Sequence, residues 1–132
     1  MEGSIKELAL YRLEQAKEDL KVSKVMLENN MFKASLNRSY YSIFHAIRSV
    51  NIVKGFDSSK HSGVIAYFNQ NFVKEGIFDK SVSKIIKSAS RLREKSDYED
   101  FYIASRKEVV AQLSEADDVI ELVEVYLKNE LE

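Results

Sequence analysis

Apolar residues recur at alternating spacings of four and three along this chain, which is the pattern of amphipathic helices. The clearest stripe runs through the stretch 32–53, and four further stretches repeat the pattern. The pattern predicts an all-α chain of five helices, each burying one face. The stripes are Ala9, Leu13, Ala16, Leu20, Ser23 and Leu27; Leu36, Tyr40, Ile43, Ile47 and Val50; His61, Ile65, Phe68 and Phe72; Val82, Ile85, Ile86, Ala89 and Leu92; and Val109, Leu113, Ala116, Ile120, Val123 and Leu127.

Residues that cap helices predict the helix boundaries. The sequences Ser4 to Glu7 and Ser105 to Glu108 fit capping boxes, in which a serine and a glutamate satisfy unpaired backbone N–H groups. We therefore expect the first helix to start at Ser4 and the second to run from Phe32 to Val53. The other predicted caps are Asp57, Ser58 and Ser59 for the third helix and Asp79 for the fourth, and the predicted helix ends are Asn29–Asn30, Gly55 and Gly76.

Composition supports one helical domain spanning residues 1–132. The chain has 132 residues, 45% of them hydrophobic and 31% charged, with no proline and four glycines, so it holds few helix breakers. It lacks the long apolar run of a membrane span and the basic, apolar start of a secretory signal, so a cytoplasmic location is expected. The net charge of −1 provides no overall attraction to nucleic acid, and any such contact must be local.

The sequence contains no recognisable metal or cofactor site. There are no cysteines, and the two histidines, fifteen or so residues apart, do not have the spacing of metal ligands. There is no glycine-rich loop of the kind that binds phosphates. The acidic face formed by Asp117, Asp118, Glu121 and Glu124 is interpreted as a solvated helix surface. We therefore expect neither a metal nor a cofactor.

The candidate chemistry lies on the polar face of the second helix. Helical phase places Arg38, Ser42, His45 and Ser49 opposite the apolar stripe, with Tyr41 beside them. Arg38 and His45 are two turns apart, roughly 10 Å along the axis, so their side chains can reach one phosphate-sized ligand. His61 falls on the apolar side of its helix and is interpreted as a partly buried, structural histidine.

The segment Asn37-Arg38-Ser39-Tyr40-Tyr41-Ser42-Ile43-Phe44-His45 resembles the motif of HEPN domains, an arginine followed after four to six residues by a histidine. Similarity to small prokaryotic HEPN proteins continues in Lys60-His61-Ser62-Gly63-Val64, in residues 68–74 and in residues 91–98. The resemblance implies an up-and-down four-helix bundle with an extra short helix. It also implies a homodimer with two Arg–His motifs at one cleft.

Many HEPN domains are metal-independent endoribonucleases, often toxins paired with a minimal nucleotidyltransferase antitoxin, whereas others only bind nucleotides or partners. By this resemblance, His45 would act as acid or base, Arg38 would hold the phosphate, and Asn37, Tyr41 and Ser42 would orient the ligand or the catalytic pair. The chain departs from the toxin pattern at Ile43, where a tyrosine that the antitoxin modifies stands in the toxin branch.

Three functions are therefore considered. The first is a dimeric ribonuclease that uses Arg38 and His45. The second is a noncatalytic module that binds a nucleotide or a nucleotidyltransferase partner at the same face. The third is a helical dimerisation protein in which Arg38 and His45 only make interface hydrogen bonds or an ion pair with a carboxylate.

Overall fold

The computed structural model describes residues 3–132, which form five α-helices and no strand. The prediction of an all-α chain is thus confirmed for this part of the sequence. Four helices are long and the third is short. The helices are α1 (Gly3–Glu28), α2 (Phe32–Val53), α3 (His61–Phe68), α4 (Lys80–Tyr98) and α5 (Arg106–Leu131), and a π-helical turn (Asn69–Val73) continues α3.

The second helix is the centre of the bundle. It contacts each of the other four helices, and 13 of its 22 residues are buried. Its predicted bounds are confirmed. A turn joins α1 to α2 through Asn30, whose φ of 59° lies in the left-handed region that asparagine tolerates. Gly55, with φ of 82°, ends α2 in the same conformation.

Several capping predictions hold and others fail. Asp79 accepts a hydrogen bond from the Ser81 backbone N–H at 2.9 Å, and the Ser105–Glu108 capping box is formed. The third helix instead follows Lys60, with no side-chain cap, so the caps predicted at Asp57, Ser58 and Ser59 are wrong. Gly3 is already helical, so Ser4 lies within α1 and does not cap it.

The first two helices approach closely because small residues line their contact. Ala9, Ala16 and Ser23 are completely buried on α1. The Ser23 hydroxyl donates to the Ser35 carbonyl at 2.7 Å, and the Ser35 hydroxyl donates to the Ser23 carbonyl at 2.8 Å. These reciprocal bonds fix the register of α1 against α2 and determine which polar residues meet beside them.

Among the described residues, no helix is both long and apolar enough to cross a membrane.

Candidate functional site

Arg38 and His45 of α2 face a carboxylate of α1, that of Asp19. Asp19 lies one turn before Ser23, and Arg38 lies one turn after Ser35, so the serine contact brings these two polar positions together. Arg38 Nη1 donates to Asp19 Oδ1 at 3.0 Å. His45 Nε2 is 3.6 Å from Asp19 Oδ2, slightly beyond hydrogen-bond range. One carboxylate therefore lies between the two predicted site residues.

These side chains line an open pocket of about 510 Å³ together with Gln15, Glu18 and Tyr41. The side chain of Arg38 is 36% exposed, whereas those of His45 and Asp19 are 18% and 14% exposed. The guanidinium carbon of Arg38 lies 5.0 Å from the centre of the Tyr41 ring, a cation–π distance. The arginine is thus the most accessible of the three polar groups.

The surroundings of His45 disfavour its protonation. Burial, followed by the positive charges of Arg12, Arg48 and Arg38 and by nearby His61, lowers the pKa of His45 from 6.5 to about 4. The imidazole is therefore neutral at pH 7, with one nitrogen able to accept a proton. Its Nδ1 atom is buried without a hydrogen-bond partner among the described residues.

Two opposing effects act on the pKa of Asp19. Burial raises its pKa, and the charge and hydrogen bond of Arg38 lower it, with burial the larger effect. The net direction is upward, so Arg38 does not fully offset the cost of burying this carboxylate. An anion that competes for Arg38 would leave Asp19 still less compensated.

The predicted ligand-orienting residues do not all reach the pocket. Tyr41 lines it, and Asn37 accepts a long hydrogen bond from Arg38 Nη2 at 3.4 Å without lining it. Ser42, which was predicted to lie on the polar face opposite the apolar stripe, is completely buried and donates to the Ser39 carbonyl. Ser49 is likewise buried. The physical reason is that α2 packs against helices on several sides, and the face opposite its apolar stripe is largely covered.

A second ion-pair cluster stands behind His45, where sequence reasoning did not look for it. Arg48 Nε donates to Asp57 Oδ1 at 2.6 Å, and Arg12 Nη2 donates to Asp57 Oδ2 at 3.3 Å. Burial raises the pKa of Asp57, but the hydrogen bond and charge of Arg48 and the charge of Arg12 outweigh this and lower it. Three arginines therefore lie near His45, and they form ion pairs with the carboxylates of Asp19 and Asp57.

Asp19 was also missed, although a signal for it exists. Asp19 and Tyr41 are equally distant in sequence from Asn30, the turn residue. In two antiparallel helices joined by a short turn, such residues lie at similar heights. Counting outward from the turn would have identified Asp19 as the α1 residue opposite the Arg38–Tyr41 turn of α2.

His61 has the half-buried position that was predicted for it. It is the first residue of α3, its ring centre lies 4.2 Å from that of Phe44, and its Nδ1 is 2.8 Å from the Tyr40 hydroxyl. Ile43 is 1% exposed, which confirms its predicted place in the core. Among residues 3–132 there is no group of three or more side chains arranged to hold a metal ion.

The chain is similar to proteins of one known family. A model of the HEPN domain matches residues 9–126. A protein of Methanocaldococcus jannaschii named "Putative toxin MJ0605" is 36% identical over 86 residues, which are 65% of this chain and 64% of that protein. A second protein of that organism, named "Putative toxin MJ0142", is 29% identical over 96 residues, 73% of this chain and 65% of that protein. The chain thus spans slightly less than two thirds of the length of each relative named as a toxin.

A UPF0332 protein of Thermotoga maritima is 29% identical over 119 residues, 90% of each chain. The crystal structure of TT1696 from Thermus thermophilus superposes with a TM-score of 0.74 at 17% identity, covering 88% of this chain and 95% of the other. This structural likeness shows a shared helical-bundle fold.

Proposed function

Since the chain belongs to the HEPN domain family, we propose that it is a metal-independent endoribonuclease in which Arg38 binds the scissile phosphate and His45 transfers protons. The observation that carries this proposal is the shared carboxylate of Asp19, which contacts Arg38 and approaches His45 at the edge of an open pocket. Two side chains that are seven residues apart are thereby directed at one small region.

The reaction would be an internal transfer. The ribose 2′-oxygen attacks the adjacent phosphorus, the bond from phosphorus to the 5′-oxygen breaks, and a 2′,3′-cyclic phosphate forms. Neutral His45 accepts the 2′-hydroxyl proton, a role that its pKa of about 4 in the free chain favours at pH 7. Arg38 stabilises the charge that develops on the phosphate oxygens.

The leaving 5′-oxygen also needs a proton, and this requirement supports the proposal of a homodimer. In a symmetric dimer, His45 of the partner subunit would supply it from the protonated form. A bound phosphate raises the pKa of a neighbouring imidazole, because it stabilises the charged form. The bound ligand would thus favour protonation of one of the two His45 side chains.

Three arginines near the pocket support binding of an anionic chain despite the net charge of −1. They lie close enough to His45 for their positive charges to lower its pKa. Three carboxylates balance them in number, those of Glu18, Asp19 and Asp57. A phosphate would therefore bind by displacing a carboxylate from a guanidinium, a local contact that does not depend on the net charge. We further propose action in the cytoplasm, as a toxin held in check by a nucleotidyltransferase antitoxin, because two relatives carry the toxin name.

A noncatalytic module remains the second candidate, and one observation favours it. Arg38 is already engaged by Asp19, whose carboxylate a scissile phosphate would have to displace. This arrangement could bind a nucleotide or a nucleotidyltransferase partner without turnover. Control by modification of residue 43 is not part of either proposal, since Ile43 has no hydroxyl and is buried.

The test is to incubate the purified chain and its His45→Ala variant with cellular RNA in EDTA and to follow fragment appearance. Fragments from the wild type and none from the folded variant are expected. His45 is not part of the apolar stripe, so circular dichroism should show that the variant keeps its helices. Equal cleavage by both proteins would contradict the proposed role of His45, and no cleavage by either would favour the binding module.

A further inference from the structure

A second polar cluster lies beside Tyr41, the aromatic residue that also lines the pocket at Arg38. It consists of Tyr40, His61 and Arg93, from α2, α3 and α4. The guanidinium carbon of Arg93 lies 5.1 Å from the Tyr40 ring centre and 5.6 Å from the Tyr41 ring centre. The Tyr41 ring centre is in turn 5.6 Å from that of His61. Three helices thus converge on this cluster.

The positive charge of Arg93 is largely buried and has few close polar partners. Its side chain is 23% exposed, and its Nε is buried without a hydrogen-bond partner among the described residues. The carboxylate that faces it, Asp97 on the next turn of α4, is 3.6 Å away and itself 33% exposed. A largely buried guanidinium whose ion pair is this long and partly exposed can take a further anion.

His61 adds a second nitrogen to the cluster in a defined orientation. Its Nδ1 is 2.8 Å from the hydroxyl of Tyr40, which is 2% exposed. This contact orients the imidazole and leaves Nε2 available to a ligand. Burial, then the charges of Arg93 and Arg48, lower the pKa of His61, and a bound anion would reverse the effect of these charges.

The two cationic positions are near enough to serve one ligand. Arg38 and Arg93 lie 5.0 Å and 5.6 Å from the same Tyr41 ring centre, so their guanidinium carbons are less than 11 Å apart. A nucleotide with phosphates on both its 5′ and 3′ sides presents two anionic groups on either side of one sugar. At a separation below 11 Å, both arginines are within reach of the two phosphates of one such ligand.

We propose that Arg93 and His61 form a second phosphate subsite, which holds the phosphate next to the one bound at Arg38. The ligand class is a nucleotide bearing phosphates on both sides of its ribose, as every internal nucleotide of an RNA chain does. This inference rests on the proposed function in that it takes the ligand to be a nucleotide chain, but it does not require cleavage.

The probes are adenosine 3′,5′-bisphosphate and the two adenosine monophosphates, 3′ and 5′, titrated into the chain by isothermal calorimetry. The wild type is expected to prefer the bisphosphate by about tenfold, the value of roughly one additional charge-assisted contact. Arg93→Gln should remove most of that preference while changing the affinity for each monophosphate by less than about twofold. Arg91→Gln, an exposed arginine on the same helix, is the matched control and should leave the preference unchanged.

The same titrations can also refute the second phosphate subsite. An unchanged preference in Arg93→Gln, a wild type without preference, or no binding of the bisphosphate would each overturn the subsite. If Arg93→Gln does not fold by circular dichroism, His61→Gln replaces it with the same expectation. None of these probes is a phosphodiester, so a chain that shows the preference but cleaves no RNA would refute only the proposed ribonuclease. A chain that cleaves RNA without the preference would refute only the subsite.

Discussion

Lowering the pH should destabilise the fold through His45, by an amount that the structure defines. The pKa of His45 is about 4 in the folded chain and 6.5 as its ordinary value. Between these two values the unfolded chain binds a proton that the folded chain does not, so stability falls as the pH drops from 6.5 to 4. At roughly 1.4 kcal/mol per pH unit, the full loss is about 3 kcal/mol, of which about 2 kcal/mol has occurred by pH 5.

The assay is urea unfolding of the wild type and of His45→Gln at pH 7.5, 6, 5 and 4.5. Glutamine keeps a polar side chain without a titrating group, so the difference between the two free energies of unfolding isolates His45. That difference should fall by about 2 kcal/mol between pH 7.5 and pH 5. The raised pKa of Asp19 adds stability as the pH falls. Both proteins contain Asp19, so this contribution cancels in the difference between their free energies of unfolding.

A pH-independent difference would refute the reasoning. It would mean that His45 keeps its ordinary pKa and is partly protonated near pH 6.5, in place of the neutral base described above. Repeating the series in an Asp19→Asn background tests the assigned cause. An ionised carboxylate can only favour the charged imidazole, so its removal should leave the pH dependence of the difference unchanged or make it larger. A smaller pH dependence there would contradict burial and the arginine charges as the cause of the lowered pKa.

Two further outcomes are expected. Asp19→Asn should lower RNA cleavage at least about tenfold, because the neutral amide no longer holds Arg38 beside His45, and it should cost only about 1 kcal/mol of stability because the Arg38 side chain is 36% exposed. Initial rates in EDTA are compared with those of Glu7→Gln, an exposed acidic residue of the same helix. A rate equal to that of the wild type would exclude a positioning role for Asp19. Ser105→Ala should lower the free energy of urea unfolding by about 1 kcal/mol, because the capping box of α5 is lost. Ser114→Ala, on the exposed face of the same helix, should leave the free energy of unfolding unchanged. Equal effects of the two substitutions would argue against a stabilising cap.

The sequence predicts most of the fold because local rules determine it. The stripe of α2 and the flanking Asn30 and Gly55 suffice to place both of its ends. The serine and aspartate caps of α5 and α4 act on backbone groups within three residues. Asp57 could not be interpreted correctly in this way, because its partners Arg12 and Arg48 come from two other segments and compete with any capping role.

The candidate site is only partly predictable for the same reason. Helical phase separates an apolar stripe from the opposite face, but it does not say whether another helix covers that opposite face. In α2 the neighbouring helices cover Ser42 and leave His45 half-buried. Asp19 and Arg93 approach the motif from α1 and α4, and only the register between helices determines that they meet Arg38 and Tyr41.

The pair formed by Arg38 and Asp19 also bears on the third function, a purely structural ion pair. A structural pair predicts that removing either partner lowers stability and changes nothing else. The ribonuclease proposal predicts that Asp19→Asn and His45→Ala impair catalysis in proteins that remain folded. Stability and activity measured on the same variants therefore separate the two.

The most direct measurement of the central claim is the chemistry of the cleaved ends. A synthetic oligoribonucleotide is incubated in EDTA with the wild type and with His45→Ala, and the products are analysed by mass spectrometry. Internal attack by the 2′-hydroxyl, with His45 as the base, predicts fragments that end in a 2′,3′-cyclic phosphate and a 5′-hydroxyl, from the wild type alone. Fragments with 5′-phosphate ends, or the same cyclic products from both proteins, would contradict it.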